Sequence, residues 1–175
     1  MYKDELLGKV TTFMGGRAAE MLVCKRISSG ASDDIQRATN LVYKSIAELG
    51  FSAGVGPMSV STLSTGGNDD FLIGSDRSSG ADAVVESEVK HTLTSSLLVA
   101  CDIIRSNPDV MTELTDALAE KEKIHGDELQ TYLDRVVAPP SLEIFLRGDA
   151  PPVTPSDIEL MSSFPLPDPT TKSAR

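Results

Sequence analysis

The chain has 175 residues, 40% hydrophobic but only 5% aromatic, with no Trp and a net charge of −10. That length supports one domain with a buried core. The acidic balance excludes broad binding to nucleic-acid phosphates or to an anionic membrane surface, both of which call for clustered Lys and Arg. A core poor in rings and rich in Leu, Val, Ile, Ala and Met favours packed helices, so an all-α bundle of about five helices is expected.

The first predicted helix runs from about Lys3 to Lys25, where Leu6, Leu7, Val10, Phe13, Met14, Ala18, Met21 and Leu22 recur at three- and four-residue steps. It contains Gly15-Gly16, and each Gly costs about 1 kcal/mol relative to Ala in a helix interior. Close approach of another backbone is the expected offset. After a link over Arg26 to Ala31, a second helix is predicted from Ser32 to Leu49. Ser32 is its N-cap, Asp33 and Asp34 lie in its first turn, Ile35, Ala38, Val42, Ile46 and Leu49 form its apolar stripe, and Gly50 stops it.

Phe51 to Asp82 is rich in Gly, Ser, Thr and Asp and reads as loop, with at most one short strand near Met58 to Leu63. Its glycines lack the GxxxxGK[ST] order of a phosphate loop. A long third helix follows from Ala83 to Ser106 through Val85, Val89, Leu93, Ser96, Leu97, Ala100 and Ile104. Asn107 caps a fourth, with Pro108 at its first position and an apolar stripe of Val110, Met111, Leu114 and Leu118, ending near Lys121. Asp127 to Val136 make a short fifth. These elements form one domain over 1–137. The remainder, 138–175, holds most of the prolines and is expected to be an extended or disordered tail whose short apolar pieces, such as Leu142 to Phe145, dock on the domain or a partner. Its RGD triplet, Arg147 to Asp149, is short enough to arise by chance.

Cys24 and Cys101 sit far apart in helical patterns and read as two buried thiols. No CxxC exists, no signal-peptide pattern opens the chain, and no apolar run approaches the ~20 residues of a membrane span. Nothing in the sequence anchors the chain by itself.

Three stretches carry chemistry when taken together: "MGGRAAEML", "SSGASDDIQRATNLVYKSIAELGFSAGVGP" and "LTDALAEKEKIHGDEL". Their order and spacing resemble the C-terminal peptidase domain of the FtsH-type AAA+ zinc metalloproteases, over roughly Tyr2 to Leu133. That family typically carries GGRAAE, then TTGASNDI..AT, then FGMS..LGP. The resemblance implies that Asp34 is the third zinc ligand, with Asp33 standing where the family has Asn. Read on physical grounds alone, Asp34 is equally a first-turn charge facing the positive end of its helix. Arg17 and Glu20 read as an ion pair that positions the first helix. Met21 departs from the family pattern, which usually repeats Glu.

The family's HExxH motif supplies two His ligands and a general base, and no HExxH occurs here. His91 and His125 are far apart and read as non-ligands. The ATPase module with its P-loop lies upstream in the family and is likewise missing from this sequence. The chain is therefore expected to keep one ligand of a zinc site and to be inactive as a peptidase alone, with no catalytic residue of its own. The resemblance further implies zinc and ATP as cofactors of the complete enzyme, protein substrates, a hexameric ring and membrane-anchored relatives; the chain itself is expected neither to insert into a membrane nor to bind nucleic acid. The alternative is a non-catalytic, peptidase-derived module for protein interaction or ring assembly.

Overall fold

A computed structural model describes residues 1–60, 76–151, 153 and 155–163. Among them are seven α-helices and no strand. They are α1 (Lys3–Ala19), continued by a π-helical turn (Glu20–Cys24), α2 (Ser32–Ala47), α3 (Asp76–Ser106), α4 (Pro108–Lys121), α5 (Asp127–Leu133), α6 (Pro140–Leu146) and α7 (Pro155–Ser163). The all-α expectation holds. Of the strand foreseen near Met58 to Leu63, residues 61–63 lie outside the described residues, and Met58, Ser59 and Val60 belong to no strand.

The core is a three-helix arrangement in which α1, α2 and α3 each pack on the other two, with α6 laid across α1 and α3. α1 contributes Leu6, Leu7, Val10, Met14 and Ala18 at helical spacing, and Met21 extends the stripe into the π-helical turn. α2 contributes Ala38, Val42 and Ile46, whereas the predicted Leu49 points outward at 56% exposure. α3 is the central element: Thr94 to Cys101 are all buried, so its middle has no solvent face. Polar residues there satisfy their hydroxyls on the preceding turn. Thr94 Oγ1 donates to the Lys90 carbonyl at 2.9 Å and Ser96 Oγ to the Thr92 carbonyl at 2.8 Å.

Several boundaries differ from the sequence reading. α3 begins at Asp76, seven residues before the predicted start, because polar Ser and Gly residues do not stop a helix already propagating. α2 is capped by Ala31, with Ser32 its first helical residue. α4 buries none of its residues, so its predicted stripe does not reach the core.

The region expected to be an extended tail carries α6 and α7. Its prolines start helices instead of breaking them. Pro140 and Pro155 occupy first-turn positions, where the missing N–H has no helical partner to lose. Phe145 of α6 and Leu160 of α7 are buried in the common core. Cys101 is buried as expected, but Cys24 is exposed at the end of the π-helical turn.

Gly15 and Gly16 have no close backbone neighbour. A Cβ placed on either meets no described atom within 4 Å. Gly50 is different: it adopts φ +64°, and a Cβ there would lie 3.0 Å from Pro57 Cα. Only Gly fits that turn.

Candidate metal-ligand segment and its supports

Asp34 lies in the first turn of α2, half-buried. Its neighbour Asp33 is committed to an exposed ion pair with Arg37 at 2.8 Å, one helical turn on. Asp34 forms no side-chain hydrogen bond or ion pair with any described residue, so its carboxylate stays available at the positive end of the helix.

What fixes this helix start is a loop held by Glu20. The chain leaves the π-helical turn at Lys25, which takes the left-handed φ of +52°. It then folds back, so that the Ser28 amide donates to Glu20 Oε2 at 3.3 Å and the Ser28 hydroxyl donates to Glu20 Oε1. Ser28 Oγ in turn accepts from the Gly30 amide at 3.0 Å. The Ser32 amide donates to the Ser29 carbonyl at 3.1 Å, and Ile35 to the Ala31 carbonyl at 3.0 Å, which opens the helix. A chain of contacts therefore runs from Glu20 to the turn that bears Asp34. Arg17 Nη1 faces Glu20 Oε2 at 3.1 Å. The Ser28 hydrogen bonds, with help from Arg17, hold the Glu20 carboxyl below its ordinary value.

Helical spacing pairs Glu20 with Arg17 but does not reveal Ser28, eight residues on. The signal available was weak: an acid and a Ser on either side of a Gly-containing link. Met21 is 1% exposed within the core. A carboxylate in its place would be buried, so the departure from the family's second Glu suits this packing.

The histidines are elsewhere. His91 is half-buried on α3 and borders a cavity with Leu6, Ser45, Ser52 and Glu88, which Asp34 does not line. His125 is exposed between α4 and α5. Among the described residues no three His, Cys, Asp or Glu side chains are grouped to hold a metal. A zinc site needs about three protein ligands, so the described residues do not fit zinc by themselves. Among the described residues no helix is long and apolar enough to cross a membrane.

The model of Peptidase family M41 matches residues 1–132. The chain is 49% identical over 152 residues to the ATP-dependent zinc metalloprotease FTSH 7, chloroplastic, of Arabidopsis thaliana, an alignment covering 85% of this chain and 19% of that protein. It is 44% identical over 160 residues to FTSH 9, chloroplastic, of the same plant, covering 89% and 20%. The ATP-dependent zinc metalloprotease FtsH 1 of Thermoanaerobacter sp. is 34% identical over 136 residues, covering 74% and 22%. The chain thus spans about a fifth of the length of these relatives. Helical fold, motif order and these matches agree: the chain belongs to the FtsH-type zinc metalloprotease family, peptidase family M41.

Proposed function

We propose that this chain is the C-terminal part of an ATP-dependent zinc metalloendopeptidase of the FtsH type, and that Asp34 is its contribution to the metal. The observation that carries this reading is the difference between the two adjacent acids. Asp33 is spent on Arg37, whereas Asp34 is half-buried and unpaired among the described residues, on a helix start held by Glu20. The other ligands and the general base belong to an HExxH segment that this sequence lacks, and ATP belongs to a separate module. Protein substrates, hexameric assembly and a plastid setting are proposed for the complete enzyme, the last from the chloroplastic relatives. Alone, the chain does not cleave peptides.

The test joins the chain to an HExxH-bearing segment from an FtsH-type relative and measures bound zinc. The joined protein should hold one zinc per chain. Asp34→Asn should weaken binding at least tenfold, while Asp33→Asn should leave it unchanged. Equal zinc affinity in the Asp34→Asn protein would remove Asp34 from the site.

A second reading, a non-catalytic module in ring assembly, is favoured by the hairpin of α4 and α5. Neither helix buries a residue, and Leu118, Leu133 and Val137 are 42%, 50% and 62% exposed. On this second reading the partner of these exposed side chains is a second copy of the chain. Sedimentation should then show an oligomer that Leu133→Asp disperses, and a monomer at high concentration would dismiss this reading.

A further inference from the structure

α7 is held to the body by a charge pair that no motif announces. Asp157 is 1% exposed, and its Oδ1 accepts from Arg105 Nη1 at 2.5 Å. Arg105, near the end of α3, also faces Asp102 at 3.1 Å. Burial works against the Arg105 charge, but the hydrogen bond and charge of Asp157 raise its pKa on balance. Cys101 lies beside this group. Burial pushes its thiol up to about 12, Arg105 opposes that shift, and Asp157 and Asp102 add to it. Breaking a buried pair by removing one partner leaves a charge without compensation, which is far costlier than losing a surface pair.

Leu160, one turn along α7, is 7% exposed and belongs to the main core. With Glu159 and Arg105 it lines a cavity of about 500 Å³ whose other wall is Met21, Leu22 and Lys25 of the π-helical turn and its end. That turn begins with Glu20, the residue that holds Ser28, and Lys25 begins the loop that runs to α2. α7 therefore borders, across this cavity, the segment from which the Asp34 helix is hung.

We propose that residues 155–163 form an intramolecular latch: the Asp157–Arg105 pair and Leu160 seat α7 on the end of α3 and the core, beside the cavity that the π-helical turn also lines, and this seating restrains the 25–31 loop leading to Asp34. The link to metal binding rests on the proposed role of Asp34. The latch does not, because it is read without metal.

The test is amide hydrogen exchange on the full 175-residue chain. In the unsubstituted protein, amides of α7 should exchange far more slowly than an unstructured peptide. Asp157→Asn should speed α7 exchange on the order of a hundredfold, and the Ser28 and Gly30 amides should speed up with it while the centre of α3 stays slow. Asp157→Glu, which keeps the charge, should retain more protection than Asp157→Asn. Leu160→Ala, which leaves the ion pair intact, should loosen the same two segments to a smaller extent and serves if Asp157→Asn fails to fold. Unprotected α7 amides in the unsubstituted chain would overturn the latch. So would release of α7 that leaves Ser28 and Gly30 unchanged.

Discussion

Glu20 accepts from both the amide and the hydroxyl of Ser28 while facing Arg17, and the folded state therefore favours its ionised form. Its carboxyl titrates below the ordinary 4.5. A depressed folded pKa contributes stability that is present above the unfolded value and is lost as pH falls through the folded one. The stability difference between the native chain and Glu20→Gln should accordingly be full at pH 6 to 7 and shrink as pH drops below 4.5. Urea titrations across that range check it, and a difference that grows on acidification would contradict the assignment. Gly15 and Gly16 make a second prediction at this scale. Both are helical, and neither has a described atom close to where an added methyl group would sit. Gly15→Ala and Gly16→Ala should each stabilise the chain by about 0.4–1 kcal/mol, read by thermal or urea unfolding. The sequence pointed to a backbone pressed against these glycines, and the described residues supply none. Composition locates such a pair but cannot say what lies across from it.

Among the elements, the hairpin of α4 and α5 is the least attached, since neither helix buries a residue. Asn107 ties its two ends together. Its Nδ2 donates to the Ile103 carbonyl at 2.8 Å and the Val137 carbonyl at 2.9 Å, and its Oδ1 accepts from the Val137 amide at 2.7 Å. An Arg135–Glu113 pair at 2.6 Å adds an exposed link. Sequence reasoning makes Asn107 a cap for α4, but its side chain forms no cap hydrogen bond and serves as a clasp instead. Local pattern sees the helix start; the partner 30 residues away is a tertiary fact. Asn107→Ala should cost about 1–3 kcal/mol, because it removes three hydrogen bonds of a buried side chain, each worth about 0.5–1.5 kcal/mol net, whereas Arg135→Ala should cost under about 1 kcal/mol. Urea midpoints compare the two. The same contrast explains the tail. Prolines over 138–175 suggest breakers, yet Pro140 and Pro155 sit where a helix tolerates them, and only Phe145 and Leu160 finding the core decides that helices form.

For the molecule as a whole, helix periodicity makes the three-helix core legible, because Val10, Val42, Val89 and their neighbours repeat on one face. The proposed metal-ligand position rests only on the resemblance carried by GGRAAE and GASDDI, since one carboxylate in a first turn has an ordinary physical use. Its support by Glu20 and Ser28, and the seating of α7 by Asp157, depend on chain reversals that no periodicity encodes. On the proposed reading the metal site is a division of labour, in which this chain would bring Asp34 and the remaining metal-binding groups would come from HExxH. Elemental analysis of the purified 175-residue protein, equilibrated with zinc and dialysed without chelator, tests that division most directly. The predicted content is far below one zinc per chain. A tightly held zinc at one per chain would contradict it.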